Sequence, residues 1–354
     1  MLLYVAIFAV LALLGLGIRS PRLSRHAAIT AGVLLALFIG GRYQVGCDWS
    51  AYVARYAFLY PTNYGWLDAV FSEEGGFHLV NVLSRDMEFG FLGVVMICGL
   101  LYAACLTRFA LLAPRPMALI AIAFPILVIQ LGMSGLRQAC ATALLLLAYV
   151  AFVRGRRLAI AAWVLVASTF HVSAIIFLPM ALLPGRRIST RHMAMAVVLL
   201  APVAGWLLGS RLDVYTNRYV DQIYGESASG GAWFRYAYAV FPFMLAMWKR
   251  RLLERDYPRL YPILRLFAIA TFGLVLVGLV SSVALHRLTY YVLPVSLLCL
   301  LCVVESVFHK RSRSMVWLMV FAIYGAYIGG WLLTSRHAAS CYVPYQSWLL
   351  GAAS

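Results

Sequence analysis

A dense group of polar and aromatic residues directly follows an apolar run that ends at Gly41. It reads Arg42-Tyr43-Gln44-Val45-Gly46-Cys47-Asp48-Trp49-Ser50-Ala51-Tyr52. These residue types supply a guanidinium that binds an anion, a carboxylate that accepts a hydroxyl proton, and ring faces available for stacking. We therefore take residues 42–52 as the first candidate site.

Three further arginines stand at the ends of other apolar runs. They are Arg137, Arg235 and Arg287. Any one of them has an equally simple interpretation, a side chain that snorkels to lipid headgroups. Taken with Arg42, they favour a clamp for a diphosphate, because charge at a membrane boundary is costly without a partner.

His171 is a polar residue within another apolar run, in the sequence Phe170-His171-Val172-Ser173. A single histidine at a helix end is more often simply hydrogen-bonded in place. At the tip of a hairpin, its ring would instead exchange a proton with a substrate hydroxyl. We keep both interpretations open.

The elements that carry these residues belong to a membrane protein. Hydrophobic residues make up 64% of the 354 residues, charged residues 12%, and the mean hydropathy is +0.88, which excludes a soluble globule. The formal net charge of +17 does not indicate nucleic-acid binding. Its basic residues occupy short gaps between apolar runs, as topology signals do.

Eleven apolar runs predict an all-α polytopic protein without a separate soluble domain, a single membrane domain over 1–354. They cover about 2–18, 27–41, 89–107, 117–133, 138–153, 158–183, 193–209, 235–248, 262–284, 288–308 and 315–333. Most are long enough to span a bilayer. The run 158–183 is long for one helix and short for two, and arginines flank both its ends. We therefore interpret it as a helical hairpin, re-entrant or spanning, which turns near Phe170-His171.

The distribution of charge predicts which side each gap faces. If the run 158–183 is a hairpin, the gaps on one side of the membrane hold 19 Lys and Arg residues and two acidic residues. The gaps on the other side hold nine Lys and Arg residues and nine acidic residues. Positive residues favour the cytoplasmic side. Both termini and the two long loops, 42–88 and 210–234, are therefore predicted to face outward, and the function with them.

The seven cysteines contribute little chemistry. Cys47 and Cys341 both fall in outward segments, where an oxidising compartment permits a disulfide between them. Cys299 and Cys302 form a CxxC inside a Leu-rich run, so we interpret them as packing residues and predict no metal site.

Five short motifs along the chain resemble those of a known family. They are Arg42-Tyr43-x-Val45-Gly46-x-Asp48-x-x-x-Tyr52, Glu88-Phe89-Gly90-Phe91, Arg137-Gln138-x-x-Ala141, Phe170-His171-x-Ser173-Ala174 and Tyr342-Val343-Pro344-Tyr345. In this order and on one predicted face, they resemble the EpsG family of Wzy-like bacterial polysaccharide polymerases. The resemblance implies a multi-span, GT-C-like glycosyltransferase architecture, and the apolar runs, with the hairpin, predict about 11–12 transmembrane or re-entrant helices for it.

The resemblance also implies an activity. It is the joining of oligosaccharide repeat units carried on undecaprenyl diphosphate, at the outer leaflet of the bacterial cytoplasmic membrane, without a metal or other cofactor. The implied partners are that lipid-linked oligosaccharide, membrane lipid and a Wzz-like chain-length regulator, with no nucleic acid. The sequence has no DxD-type motif, so arginines would stabilise the leaving diphosphate.

The candidate residues divide into two groups. The catalytic candidates are Asp48, His171 and Arg137, and the substrate-binding candidates are Arg42, Tyr43, Trp49, Tyr52, Glu88, Gln138, Arg235, Arg287 and Tyr345. Asp48 is the first choice as general base, since desolvation at an apolar boundary raises a carboxylate's pKa, and on a helix it would share a face with Tyr52. If Arg42 lowers that pKa instead, His171 takes the role.

Two other classes remain as alternatives. A flippase or other transporter of lipid-linked sugars needs polar residues through the middle of its spans, and here those positions are nearly all apolar. An O-antigen-type ligase or an acyltransferase acts at the same leaflet, and a ligase uses the same donor. The sequence separates a ligase from a polymerase only weakly.

Overall fold

The computed structural model describes residues 1–60, 63–183 and 231–351, and this part of the chain is built from helices. The first helices are α1 (Leu2–Gly17), α2 (Pro21–Gly40), α3 (Trp49–Leu59), α4 (Trp66–Phe71), α5 (Gly75–Asp86), α6 (Gly90–Ala110), α7 (Pro116–Ala123), α8 (Leu136–Val153) and α9 (Arg157–Ser168). After residue 230 follow α10 (Ala232–Trp248), α11 (Arg250–Asp256), α12 (Tyr261–Val280), α13 (Ser282–Val307), α14 (Lys310–Thr334) and α15 (Arg336–Cys341). A π-helix covers Phe124–Gly132, and 3-10 segments cover Val172–Leu182 and Trp348–Leu350.

Six of these helices are long and apolar enough to cross a bilayer. They comprise α2, α6, α8 and α13, together with Tyr261–Leu279 of α12 and Arg311–Thr334 of α14. Four shorter apolar segments, Leu2–Gly17, Pro116–Gly132, Arg157–Ser168 and Val172–Leu182, accompany them. Within a bilayer, helices satisfy their own backbone hydrogen bonds, which suits runs of this composition. The predicted class, an all-α polytopic membrane protein, is confirmed, and the total of 11–12 segments stays a prediction.

The chain divides into two compact units. The first contains Met1–Leu147, Val166–Val172 and Phe308–Ser354, and its centre is the pair α2 and α6. Their backbones approach so closely that a β-carbon at Gly99 would lie 2.6 Å from the amide nitrogen of Gly40. Small residues at such a crossing permit the dispersion contacts that hold helices together in lipid.

The run predicted at 117–133 changes character halfway. It begins as α7 and continues as the π-helix, which contains Pro125 near its start. Gln130 on the π-helix accepts a hydrogen bond from the Tyr327 hydroxyl at 2.9 Å. A proline removes one backbone donor and widens the helical turn locally, which explains why the α-helix does not continue.

The second unit contains Ala148–Leu165 and Ser173–Val307, with α13 packed against α10 and α12. Four aromatic residues form part of its core. Tyr149 and Phe267 have ring centroids 4.8 Å apart, Phe177 and Tyr291 are 5.5 Å apart, and the Tyr149 hydroxyl donates to the Tyr291 carbonyl at 3.1 Å. Cys299 and Cys302 are free and fully buried on α13, in agreement with a packing role.

The predicted hairpin at 158–183 coincides with an interruption in the helix. Helix α9 ends at Ser168 and a 3-10 segment begins at Val172, so the break falls at Thr169-Phe170-His171. Whether the chain turns back within the membrane there stays a prediction. The apolar run 193–209 and nearly all of the predicted loop 210–234 lie outside the described residues.

Candidate active site

Arg42, the first arginine of the opening motif, is buried in the first unit. Only 1% of the residue is exposed, and its guanidinium donates to two backbone carbonyls, that of Val45 at 3.1 Å and that of Ile39. Burial lowers the pKa of Arg42 to about 10, so the side chain is charged at neutral pH. Both hydrogen bonds hold the turn after α2, and we do not include Arg42 among the residues proposed to touch substrate.

A segment near the C-terminus closes over this turn. The Tyr43 amide donates to the Gln346 carbonyl at 2.9 Å, and the Ser347 hydroxyl donates to Gly41 at 2.8 Å. The ring of Tyr345 stacks on Phe38 with centroids 4.7 Å apart, and its hydroxyl donates to the Phe38 carbonyl at 2.8 Å. Tyr345 therefore anchors this segment to the end of α2.

A disulfide joins the same two regions. Cys47 and Cys341 are bonded with Cα atoms 4.8 Å apart, and the Gly46 amide donates to the Cys341 carbonyl at 2.7 Å. Gly46 has φ +108°, and a β-carbon there would lie 2.0 Å from the Met133 carbonyl oxygen, so only glycine fits. His337 lies 3.9 Å from the Cys47 sulfur. These are the residue types of a metal site, but the disulfide already occupies both sulfurs.

The strongest polar cluster of the first unit centres on Glu74, which the sequence analysis did not select. One carboxylate oxygen, Oε1, lies 2.7 Å from His171 Nδ1, and the other, Oε2, forms an ion pair with Arg137. The Glu74 side chain is 7% exposed and that of Arg137 is 33% exposed. Two of the three predicted catalytic residues therefore share one carboxylate at the edge of solvent. We call these three residues the Glu74 cluster.

Backbone geometry places Glu74 in this position. It caps α5 with φ 60° and ψ 41°, a left-handed conformation that is uncommon for a residue with a side chain. The following Gly75 and Gly76 permit close contacts, since a β-carbon on Gly76 would lie 2.2 Å from the Thr169 hydroxyl. Such strained residues persist where surrounding structure holds them, often at functional sites.

The surroundings keep Glu74 ionised. Burial favours the neutral acid, but the hydrogen bond from His171 and the charge of Arg137 outweigh it and lower the pKa of Glu74 from 4.5 to about 2. At neutral pH the carboxylate is therefore an acceptor only. It accepts a hydrogen bond from each of the two donors and so orients them.

Tyr52 and Asp48 lie at the start of α3, next to this cluster. The Tyr52 hydroxyl accepts from the Arg137 amide at 3.5 Å, and burial raises the pKa of the phenol. Asp48 is exposed at the N-cap of α3, where its carbonyl accepts from the Tyr52 amide, so both residues belong to one helix start as predicted. Asp48 Oδ2 would lie 3.9 Å from a β-carbon on Gly135. Asp48 therefore lies close to the segment that carries Arg137, and it forms no ion pair among the described residues.

Aromatic side chains extend from the opening motif along α3. Trp49 lies between Tyr43 and Phe91, with ring centroids 5.9 and 5.2 Å away, and all three rings are half-buried. Tyr43 and Trp49 are the stacking candidates among these rings.

Two further polar candidates lie elsewhere. Glu88 is exposed, two residues before α6. Gln138 is half-buried next to Arg137 in the sequence, and its backbone carbonyl accepts a hydrogen bond from the Thr142 hydroxyl at 2.7 Å.

The other two predicted arginines belong to the second unit. Arg235 on α10 lies with Nη1 3.2 Å from His286 Nε2 and its guanidinium carbon 6.0 Å from the Tyr290 ring centroid. Arg287 follows His286 on α13. Arg235 therefore lies beside α13, the helix that also carries Arg287. The diphosphate clamp predicted from Arg42, Arg137, Arg235 and Arg287 stays a prediction.

Sequence reasoning missed Glu74 because nothing local distinguishes it from Glu73, Asp68 or Asp86. The available signal was its position, a carboxylate directly before Gly75-Gly76, in a loop that is predicted to face outward and that ends at another motif. Such a pair of glycines marks a place where the backbone adopts a special conformation or approaches another segment closely.

The chain is similar to a known protein family. A model of the EpsG family matches residues 27–347, nearly the whole chain, and this range contains every residue of the Glu74 cluster and the turn that Arg42 holds. Neither a curated protein nor a solved structure matches the chain. The resemblance that the five motifs suggested is confirmed. The chain therefore belongs to the EpsG family, a family of Wzy-like polysaccharide polymerases.

Proposed function

We propose that this protein polymerises undecaprenyl-diphosphate-linked oligosaccharide repeat units at the outer leaflet of the bacterial cytoplasmic membrane, by metal-independent glycosyl transfer. Family membership supports a polysaccharide polymerase. The observation that carries the chemistry is Glu74, which contacts His171 and Arg137 with separate carboxylate oxygens. The charge asymmetry of the loops supports the outward orientation.

His171 is the general base of this proposal. When Nδ1 carries the ring proton, it donates to Glu74 Oε1, and Nε2 is the basic nitrogen that remains for substrate. An ionised carboxylate on one side of an imidazole fixes its tautomer and orientation and stabilises the imidazolium that forms. Asp48 lacks such a partner, so it becomes a candidate hydrogen-bond acceptor for substrate hydroxyls and the second choice as base.

The reaction is a displacement at the anomeric carbon of the growing chain. A hydroxyl oxygen of the incoming lipid-linked unit forms the new C–O bond, and the bond from that carbon to the lipid diphosphate breaks. The diphosphate departs with the electron pair, and the hydroxyl proton passes to His171 Nε2. Arg137 lies where its guanidinium can stabilise charge on the departing group, and Tyr43, Trp49 and Tyr52 offer faces for the sugars.

The test uses the purified full chain in lipid nanodiscs with lipid-linked repeat units, and the length of the product is measured. His171→Ala and Glu74→Gln should each lose roughly 10² to 10⁴ in rate, the range typical of a missing general base or its orienting partner. The matched control is His26→Ala, which removes an exposed histidine at the start of α2. Near-normal rates for both variants would refute the proposed base, and a dead Asp48→Asn in that case would move the role to Asp48.

A cellular experiment separates the polymerase from the alternatives. Deletion of the gene should leave single repeat units on the lipid carrier at the outer leaflet. Full-length chains that stay unattached would indicate a ligase, and accumulation at the inner leaflet would indicate a flippase. Either result would overturn the proposal. Co-purification with a Wzz-like regulator would test that proposed partner separately.

A further inference from the structure

Arg55 is a cationic residue near the candidate site, and no role has been assigned to it above. It lies on α3, three residues after Tyr52, and its Nε is buried without a hydrogen-bond partner. No carboxylate among the described residues pairs with it. The other arginines of this region each have a partner, since Arg137 pairs with Glu74, Arg85 with Asp86, and Arg42 donates to backbone carbonyls. The residue as a whole is partly exposed, so a ligand can reach it, and a buried Nε donor without a partner is costly, which makes Arg55 a candidate for anion binding.

His78 and the two tyrosines that contact it lie near Arg55 and supply no carboxylate. His78 Nδ1 lies 2.8 Å from the Tyr60 hydroxyl and 3.3 Å from the Tyr64 hydroxyl, and the rings of these tyrosines are 5.4 Å apart. The pKa of His78 is lowered by burial first and then by the charge of Arg55. A lowered pKa favours the neutral imidazole, so His78 adds no second positive charge beside Arg55.

Arg55 also lies close to the Glu74 cluster. Tyr52, one helical turn before it, contacts Arg137, and His78 lies one turn after Glu74 on α5. The charges of Arg55 and Arg137 both act on Tyr60 and His78. Glu74 offsets one positive charge of the pair and leaves the other without a counter-ion.

We infer that Arg55 forms an anion subsite beside the Glu74 cluster, which receives a phosphate oxygen of the diphosphate that joins substrate to its lipid carrier. This inference rests on the proposed function. A planar guanidinium binds phosphate oxygens through paired, charge-assisted hydrogen bonds. Arg55 thereby takes the place in the diphosphate clamp that the sequence assigned to Arg42.

The test measures binding without turnover. The full chain in nanodiscs of zwitterionic phosphatidylcholine is titrated with farnesyl diphosphate and with farnesol, which lacks the diphosphate. Arg55→Gln should weaken diphosphate binding about 10- to 100-fold and leave farnesol binding unchanged, the loss expected for one charged hydrogen-bonding group. Arg55→Lys should recover part of the loss. The matched control is Arg336→Gln, an exposed arginine at the start of α15, which should bind as wild type.

Three results would overturn the inference. Arg55→Gln that binds farnesyl diphosphate as well as wild type would remove the subsite. An equal loss for farnesol would show that Arg55 supports packing and not an anion. If anionic phosphatidylglycerol in the nanodisc abolishes the difference between wild type and Arg55→Gln, the subsite serves ordinary phospholipid phosphate and not the substrate diphosphate.

The inference and the proposed function fail in different ways. Arg55-dependent diphosphate binding by a protein that forms no polymer from lipid-linked units would refute the polymerase and keep the subsite. Normal polymer from Arg55→Gln with unchanged binding would refute the subsite and keep the polymerase. Glu74→Gln adds an internal check, since it should lose polymerisation and still bind farnesyl diphosphate.

Discussion

Arg42 and Arg137 look alike in the sequence, and the structure gives them opposite surroundings. Arg42 is 1% exposed and donates to the carbonyls of Val45 and Ile39, whereas the Arg137 side chain is 33% exposed and pairs with the carboxylate of Glu74. A buried guanidinium that donates to two backbone carbonyls stabilises a turn. One that faces a carboxylate at a solvent boundary has donors left for a ligand. The predictions that follow test this division.

Replacement of Arg137 should have the largest effect, and on activity. Arg137→Ala should lower the polymerisation rate roughly 10³-fold, because a preorganised donor to the departing diphosphate is lost. Arg137→Lys should recover only part of the rate, since a point charge does not reproduce the guanidinium fork. Product length on lipid-linked units measures both. Normal-length polymer from Arg137→Ala would remove Arg137 from the mechanism.

Replacement of Arg42 should instead affect stability. Arg42→Met should lower the free energy of unfolding by roughly 3–4 kcal/mol, because two charged hydrogen bonds to buried carbonyls are lost. The rate per folded molecule should stay within about twofold of wild type. Thermal unfolding in detergent and the rate of the folded fraction are the two measurements. A stable but inactive Arg42→Met would return Arg42 to the active site.

The ion pairs of Glu74 predict a dependence of stability on pH. The folded pKa, about 2, lies below the ordinary value of 4.5, so the stabilisation is fully present above pH 4.5 and is lost as the pH falls towards 2. A shift of this size corresponds to up to about 3 kcal/mol. The unfolding midpoints of wild type and Glu74→Gln should differ at pH 7 and approach each other near pH 3. A constant difference would contradict the assigned pairing.

The smallest effect is expected at Tyr345. Tyr345→Phe removes the hydrogen bond to the Phe38 carbonyl and keeps the stacked ring, so it should cost about 1 kcal/mol of stability and leave the rate unchanged. Thermal unfolding beside a rate measurement checks this. A variant of normal stability with a large loss of rate would place Tyr345 against substrate.

Much of the fold was predictable from composition and hydrophobic run length. The apolar run predicted at 89–107 corresponds to Gly90–Ala110, and that at 138–153 to Leu136–Val153. The run at 117–133 was predicted as one span without the change to a π-helix, because hydropathy does not report how backbone hydrogen bonds are paired. Short loop helices such as Trp66–Phe71 carry no hydropathy signal and were likewise not predicted.

The residue types of the candidate site were predictable from the sequence, but which side chains pair with one another was less so. Arg137 was a candidate from its position between two apolar runs and His171 from its position at the predicted hairpin turn, and the structure brings them to one carboxylate. Glu74 was not among the candidates, because a carboxylate gains its role from partners that are 63 and 97 residues away in the chain. Arg55 was not a candidate either, because the sequence does not show that its Nε is buried without a hydrogen-bond partner.

The sequence by itself determined the membrane class, the approximate spans and the family motifs. Hydrophobic run length and charge placement are local properties of the sequence, and they act directly on how a segment partitions into the bilayer. Only the tertiary structure decided which arginine is buried in a turn and which faces a carboxylate. It likewise decided that Cys47 and Cys341, 294 residues apart, meet in a disulfide. A side chain's exposure and partners depend on segments distant in sequence, and no local pattern encodes them.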